Sequence, residues 1–281
     1  MEFLAPAKTN VSLRVLGKRA DGFHELETLM VPLALADTVT IEKTDGDSLA
    51  FTCSDASLPT DDTNLAVRAA KAILSASDAK LGWKIHLEKR IPHGAGLGGG
   101  SSDAATVLMG MNELLGCPFS QSKLLGMAAQ LGSDGPFFLV RGPALCKGRG
   151  ELVEPASFPV ETPILLLKPP FGVPTPWAYQ RWRESLEVPA FMYRSQMFGG
   201  HELVNDLERP VFEKFLLLGV MKNWLLAQPE VAAAMMSGSG STMLALLNAD
   251  GESLAVRAKS QFGETLWTCL TLTTGISEEF R

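Results

Sequence analysis

The chain has 281 residues, 46% hydrophobic and 20% charged, with a formal net charge of −6. That length supports one large domain or two modest ones, with a core that needs no staples. A negative chain without a basic block excludes non-specific nucleic-acid binding by phosphate neutralisation, and leaves open a local basic patch for an anionic small molecule.

Met1-Glu2-Phe3-Leu4-Ala5-Pro6-Ala7-Lys8 lacks the basic start and long apolar stretch of a signal peptide. Runs such as Ile164-Leu165-Leu166-Leu167 are too short to span a bilayer. A cytoplasmic address with no membrane partner is therefore expected. Cys53, Cys117, Cys146 and Cys269 form no C-x-x-C pair, which reads as free thiols in a reducing compartment and not as a zinc site.

Alternation predicts strands over 11–16 and 29–43. A helix is expected from Thr63 to Ser75, capped by Asp62, with Leu65, Ala69, Ala72 and Ile73 as its apolar stripe. Trp83, Ile85 and Leu87 alternate with polar neighbours, as in a half-buried strand. Helices follow from Ser101 to Leu115 and from Ser122 to Leu131, the second closed by Gly132. The Gly/Pro-rich stretch 142–163 predicts a boundary between domains 1–150 and 151–281. Beyond it come a strand at Ile164–Lys168 and helices near 176–186, 200–206 and 209–226. Strands Val231–Met236 and Thr242–Leu247, a helix near 251–262 and a strand Leu266–Leu272 complete the chain. Strands and helices mix without strict alternation, so the class is α+β.

One segment carries chemistry by itself. Pro92-His93-Gly94-Ala95-Gly96-Leu97-Gly98-Gly99-Gly100-Ser101-Ser102 joins a strand to a helix. Glycines let backbone N–H groups crowd round an anion, and a helix N-terminus adds unpaired N–H groups and a positive dipole end. The two serine hydroxyls can bond phosphate or reach a metal. A P-loop is excluded, because no lysine precedes Ser101. Gly94, Gly96 and Gly99 fit G-x-G-x-x-G, but no second strand ending in an acid follows, so a dinucleotide fold is rejected. A purely structural turn is the plainer alternative.

Three separated segments together resemble one superfamily, that of galactokinase, homoserine kinase, mevalonate kinase and phosphomevalonate kinase. They are Pro6-Ala7-Lys8-Thr9-Asn10, Pro92 to Ser102, and Met236-Ser237-Gly238-Ser239-Gly240. Further segments are similar to its branch acting on 4-diphosphocytidyl-2-C-methyl-D-erythritol. These are Gly17-Lys18-Arg19-Ala20-Asp21-Gly22-Phe23-His24, Leu131-Gly132-Ser133-Asp134-Gly135-Pro136-Phe137-Phe138, Val173-Pro174-Thr175-Pro176 and Asn205-Asp206-Leu207-Glu208. The resemblance runs from residue 5 to about 247.

It implies a two-domain fold, with an N-terminal domain like ribosomal protein S5 domain 2 and a C-terminal ferredoxin-like sandwich. It implies ATP-dependent phosphorylation of the 2-hydroxyl of that substrate, in the methylerythritol phosphate route to isoprenoids. Lys8 and Asp134 match the catalytic pair. Pro92, His93, Gly94, Ala95, Gly96, Leu97, Gly98, Gly99, Gly100, Ser101 and Ser102 form the ATP turn. Lys89 is a further nucleotide contact, or a plain strand-end lysine. Asn10 bonds the substrate or steadies Lys8. Phe23 and His24 match the cytosine pair; Tyr179 matches the second aromatic wall, following Thr175-Pro176, and Thr175 is a further substrate contact. Magnesium enters with ATP, held mainly by phosphates and water. The partner is a small molecule with a cytidine diphosphate group; monomer and homodimer both stay open. Two positions depart from the family pattern. Gly135 replaces a valine, which predicts a looser backbone after Asp134, and Phe23 replaces the usual tyrosine.

Overall fold

A computed structural model describes residues 1–77 and 81–275. The first half of the chain contains β1 (Glu2–Lys18), β2 (His24–Thr44), β3 (Leu49–Cys53), α1 (Leu65–Ala76), β4 (Gly82–Glu88), α2 (Gly99–Leu114), α3 (Gln121–Leu131), α4 (Gly135–Val140), β5 (Ala144–Gly148) and β6 (Leu152–Pro155). The second half adds β7 (Pro163–Lys168), α5 (Thr175–Arg181), β8 (Gln196–Phe198), β9 (His201–Asn205), α6 (Glu208–Lys214), α7 (Leu216–Leu226), β10 (Val231–Met236), β11 (Met243–Leu247), α8 (Glu252–Phe262) and β12 (Trp267–Leu272). The class is α+β, and no helix among the described residues is long and apolar enough to cross a membrane.

The larger sheet has the order β3-β4-β2-β1-β9-β8, with β5 paired to β2 and β6 to β5. Its spine is the long β1–β2 hairpin, whose register shifts at Pro6/Lys8, Asn10/Ser12 and Val15/Gly17. Such irregularities re-aim side chains. Here they bracket Lys8 and Asn10, which as i and i+2 residues share one strand face.

The smaller sheet is antiparallel, order β10-β11-β7-β12. With its helices it makes the split βαβ arrangement of a ferredoxin-like domain. The middles of β7 and β10 and all of β11 are apolar because both faces are buried there, whereas the edge strand β12 mixes Thr268 and Thr271 with apolar residues. Leu165, Leu167, Ala234, Met236, Met243 and Ala245 face α6, α7 and α8. Their alternates Ile164, Leu166, Ala233, Met235, Leu244 and Leu246 pack on Val11, Val31, Ile91 and Leu97 of the larger half.

Several expectations need correction. The strands expected at 11–16 and 29–43 are the middles of much longer ones. Asn64, not Asp62, caps α1, its side chain accepting from Ala66 N at 2.9 Å; Asp62 instead pairs with Lys71. Helix α2 begins at Gly99 without a serine cap: its N-cap is Gly98, in the left-handed region. The helix expected at 200–206 is the β8–β9 hairpin, turning at Gly199 and Gly200. Leu203 and Asn205 are buried at period two, and β9 extends β1 in parallel. The helix expected at 209–226 is broken at Phe215 into α6 and α7. β3, α4, β5 and β6 add to the expected elements. β5 and β6, on either side of residue 150, form one hairpin of the larger sheet, to whose other end the later strands β8 and β9 are also added.

Candidate active site

A cavity of about 780 Å³ is walled by β1, β2, the Pro92–Ser101 turn, the β5–β6 turn, α5 and the β10–β11 loop. Lys8, Asn10, Phe23, His24, Lys89, Asp134, Thr175 and Tyr179 all line it, with Pro92 to Ser101. Ser102 does not. Its hydroxyl is buried without a hydrogen-bond partner among the described residues, and its N–H donates to Gly98 O at 2.9 Å. It faces the packed side of α2.

Lys8 and Asp134 meet at the cavity floor. Lys8 Nζ donates to Asn10 Oδ1 at 2.7 Å and lies 3.4 Å from Asp134 Oδ2. Lys8 is buried, whereas the Asp134 side chain keeps 31% exposure. Asp134 precedes α4 yet makes no side-chain cap bond, so its carboxylate is free to face the cavity. The orientation of Asn10 is dictated from behind. Thr28 Oγ1 gives its single proton to Ser12 O at 2.6 Å, so toward Asn10 it can only accept. Asn10 Nδ2 therefore points at Thr28, at 2.8 Å, and Oδ1 at Lys8. Both ends of Asn10 are engaged in steadying the lysine.

In the glycine turn, Gly94, Gly96 and Gly98 have φ of 63°, 75° and 72°. Two of these positions exclude any side chain. A Cβ on Gly96 would lie 2.4 Å from Ser237 O, and one on Gly98 would lie 2.9 Å from both Lys8 Cγ and Phe138 Cζ. Lys8 N donates to Leu97 O at 2.9 Å, which seats the turn on β1. The first intrahelical bond of α2 comes from Ser102, and no side chain caps the helix. The N–H groups of Gly99, Gly100 and Ser101 therefore stand at the cavity as donors for an anion. A polyphosphate fits this cradle.

Lys89 is engaged elsewhere. Its ammonium, nearly buried, sits 2.5 Å from Asp37 Oδ2 and 2.9 Å from Asp103 Oδ2. Asp37 Oδ1 also accepts the N–H groups of Arg90 and Ile91 at 2.5 and 2.8 Å. The trio clamps the exit of β4 to α2, so Lys89 braces the turn from below. Two carboxylates share one cation, and Asp103 Oδ1 has no partner among the described residues. Burial, against the pull of Lys89, pushes Asp103 up to about 7. A carboxyl raised from 3.8 holds its proton longer when folded, so its contribution to stability falls as pH rises from about 4 to 7 and stays low above. Asp103→Asn should therefore raise the thermal midpoint at pH 8 and leave it nearly unchanged at pH 4; a lower midpoint at pH 8 would refute the assignment.

At the far end His24 stacks on Tyr179, with centroids 5.4 Å apart and planes at 26°. Trp182 meets the His24 ring edge-on at 6.3 Å. Burial, then Lys18, lowers the His24 imidazole below its usual value, so near pH 7 it is neutral and offers one donor and one acceptor. Phe23 is half exposed beside it, and the Arg149 guanidinium lies 4.7 Å from its ring centroid. Arg149, Asp37, Asp103 and Thr28 had no sequence signal. Gly148-Arg149-Gly150 is a turn by composition, and only the pairing of β5 with β2 brings it to the cavity.

The model of the GHMP kinases N terminal domain matches residues 64–142. The chain is 43% identical over 268 residues to a 4-diphosphocytidyl-2-C-methyl-D-erythritol kinase of Methylacidiphilum infernorum, covering 94% of this chain and 93% of that one. It is 39% identical to a Synechococcus protein of the same name, with 98% of both chains covered. A crystal structure of 4-(cytidine 5'-diphospho)-2C-methyl-D-erythritol kinase superposes with a TM-score of 0.80 at 36% identity, covering 98% of this chain and 100% of that one. A homoserine kinase from Cytophaga hutchinsonii shares the fold, with a TM-score of 0.66 at 19% identity over 98% of this chain and 94% of that one. Identity at this level over nearly the full length places the chain in the family of 4-diphosphocytidyl-2-C-methyl-D-erythritol kinases, within the GHMP kinases.

Proposed function

We propose that the chain transfers the terminal phosphoryl group of ATP to the 2-hydroxyl of 4-diphosphocytidyl-2-C-methyl-D-erythritol, a step of isoprenoid biosynthesis. The observation that carries the reading is the Lys8–Asp134 pair at 3.4 Å, which lies in one cavity with the glycine turn and the His24–Tyr179 stack.

Asp134 orients the substrate hydroxyl and takes its proton. Lys8, held by Asn10, pairs with the Asp134 carboxylate and offsets charge on the phosphoryl group in flight. The N–H groups that open α2 bind the phosphates. Phe23, His24 and Tyr179 hold the cytosine by stacking and edge hydrogen bonds. Thr175, hydrogen-bonded to Ser239 at 2.8 Å, fixes the start of the Tyr179 helix. Among the described residues no group of three His, Cys, Asp or Glu could hold a metal. Magnesium would ride on ATP, with Ser101 the hydroxyl at hand, and would neutralise phosphate charge.

The test is turnover of purified protein with ATP, magnesium and a panel of alcohols, read as ADP release. The cytidyl substrate should turn over, and Phe23→Ala should raise its KM more than that of ATP. Transfer to homoserine or mevalonate alone would refute the substrate assignment.

A further inference from the structure

The segment Asn205-Asp206-Leu207-Glu208 lies outside the cavity lining, yet its hydrogen bonds reach Gly238 and Leu13, which do line it. Asn205 is buried at the end of β9. Its Nδ2 donates to Met236 O, at the end of β10, at 2.8 Å and to Gly238 O of the β10–β11 loop at 2.7 Å. Its Oδ1 accepts Leu207 N at 2.9 Å. Asp206 ties the segment to β1, its carboxylate accepting Val15 N at 2.8 Å and its own N–H reaching Leu13 O at 3.0 Å. Glu208 accepts Met236 N at 2.9 Å and is paired with Lys222 at 2.5 Å.

The loop so held presses on the catalytic pair. A Cβ on Gly238 would lie 3.2 Å from Asn10 Oδ1 and 3.6 Å from Lys8 Nζ. Ser237 Oγ donates to Gly96 O at 3.0 Å and accepts from Thr9 at 3.1 Å. Only a primary amide at this length supplies two donors and one acceptor together. Any other side chain leaves a buried carbonyl unpaired.

We infer that Asn205 is a positioning residue: by its amide bonds to Met236 O and Gly238 O it fixes the β10–β11 loop against Asn10 and Lys8, and so sets where the Lys8 ammonium stands relative to Asp134. The inference rests on the roles assigned above to Lys8 and Asp134. A misplacement of about 1 Å at a reacting group can cost about a hundredfold in rate.

Asn205→Asp tests it. The variant keeps the acceptor for Leu207 and loses both donors. Its kcat should fall at least about tenfold, with the ATP KM changed less than about threefold, since the phosphate donors are on α2. A pH profile separates positioning from general damage. The charged groups around position 205 are Asp206, bonded to Val15, the Glu208–Lys222 pair, and the Lys8–Asp134 pair across the loop. A protonated carboxyl at 205 regains one donor, so the variant to wild-type ratio of kcat should rise as pH falls from 8 to 6. Asn205→Ser, with a single donor, should show a smaller loss in the same direction. A kcat within twofold of wild type in both variants, or a flat ratio across pH, overturns the inference. So does failure of both to fold, which would make Asn205 a folding residue. Asp134→Asn, assayed alongside, keeps the two readings apart. If it retains activity, the roles of Lys8 and Asp134 fail; if it is inactive while Asn205→Asp is unaffected, only the positioning role fails.

Discussion

Asp134→Asn should lower kcat by about 10²–10⁴-fold while leaving ATP affinity within a few-fold of wild type. Asparagine matches aspartate in shape but cannot take a proton from the substrate hydroxyl. No helix cap is lost, because the Asp134 side chain makes none. The donors proposed for ATP are in the first turn of α2 and are untouched. Lys8 loses an anion at 3.4 Å but keeps Asn10 at 2.7 Å, so the buried ammonium retains a hydrogen bond. The Asp134 side chain is partly exposed, so solvent screening limits the effect on stability. Single-turnover rates at saturating substrate, with titration of a non-hydrolysable ATP analogue, measure the two quantities separately. A variant that keeps its rate removes Asp134 as the base. One that loses ATP binding in proportion gives it a binding role instead.

The sequence made the apolar alternation of the smaller sheet and the glycine turn visible, because both are local. Lys8 and Asp134 could be paired only through the family resemblance; 126 positions separate them along the chain, and nothing in either neighbourhood points to the other. What stayed hidden was long-range. Asp37 and Asp103 look like surface acids until β2 and α2 carry them to Lys89. Residues 200–206 looked helical because so short a segment shows little period, and its strand state is set by the edge of β1 that it joins. Ser102 looked like a phosphate ligand beside Ser101, but one helical step turns it from the cavity into the core.

Gly135 shows the same limit, and it leads to the second large effect. In sequence, a glycine after Asp134 suggests a loose backbone. In the fold it begins α4 in a buried position, against the last turn of α3. A Cβ there would lie 2.8 Å from Ala128 O and 3.2 Å from Ala128 Cβ. That carbonyl already accepts Gly132 N at 3.1 Å, the bond that closes α3. The glycine thus permits close approach of two backbones rather than slack. Gly135→Val should push α3 and α4 apart, at about 1–3 kcal/mol of stability for an overpacked site. The displacement starts one residue from Asp134, so kcat should fall by about a hundredfold if the carboxylate moves by about 1 Å. Thermal melting and steady-state rates on the same preparation check both. Because the first obstacle is a backbone oxygen, adding Ala128→Gly should restore little of either. Full activity at an unchanged midpoint would mean that α4 can yield without carrying Asp134 with it, and the tight packing would then have no part in placing the base.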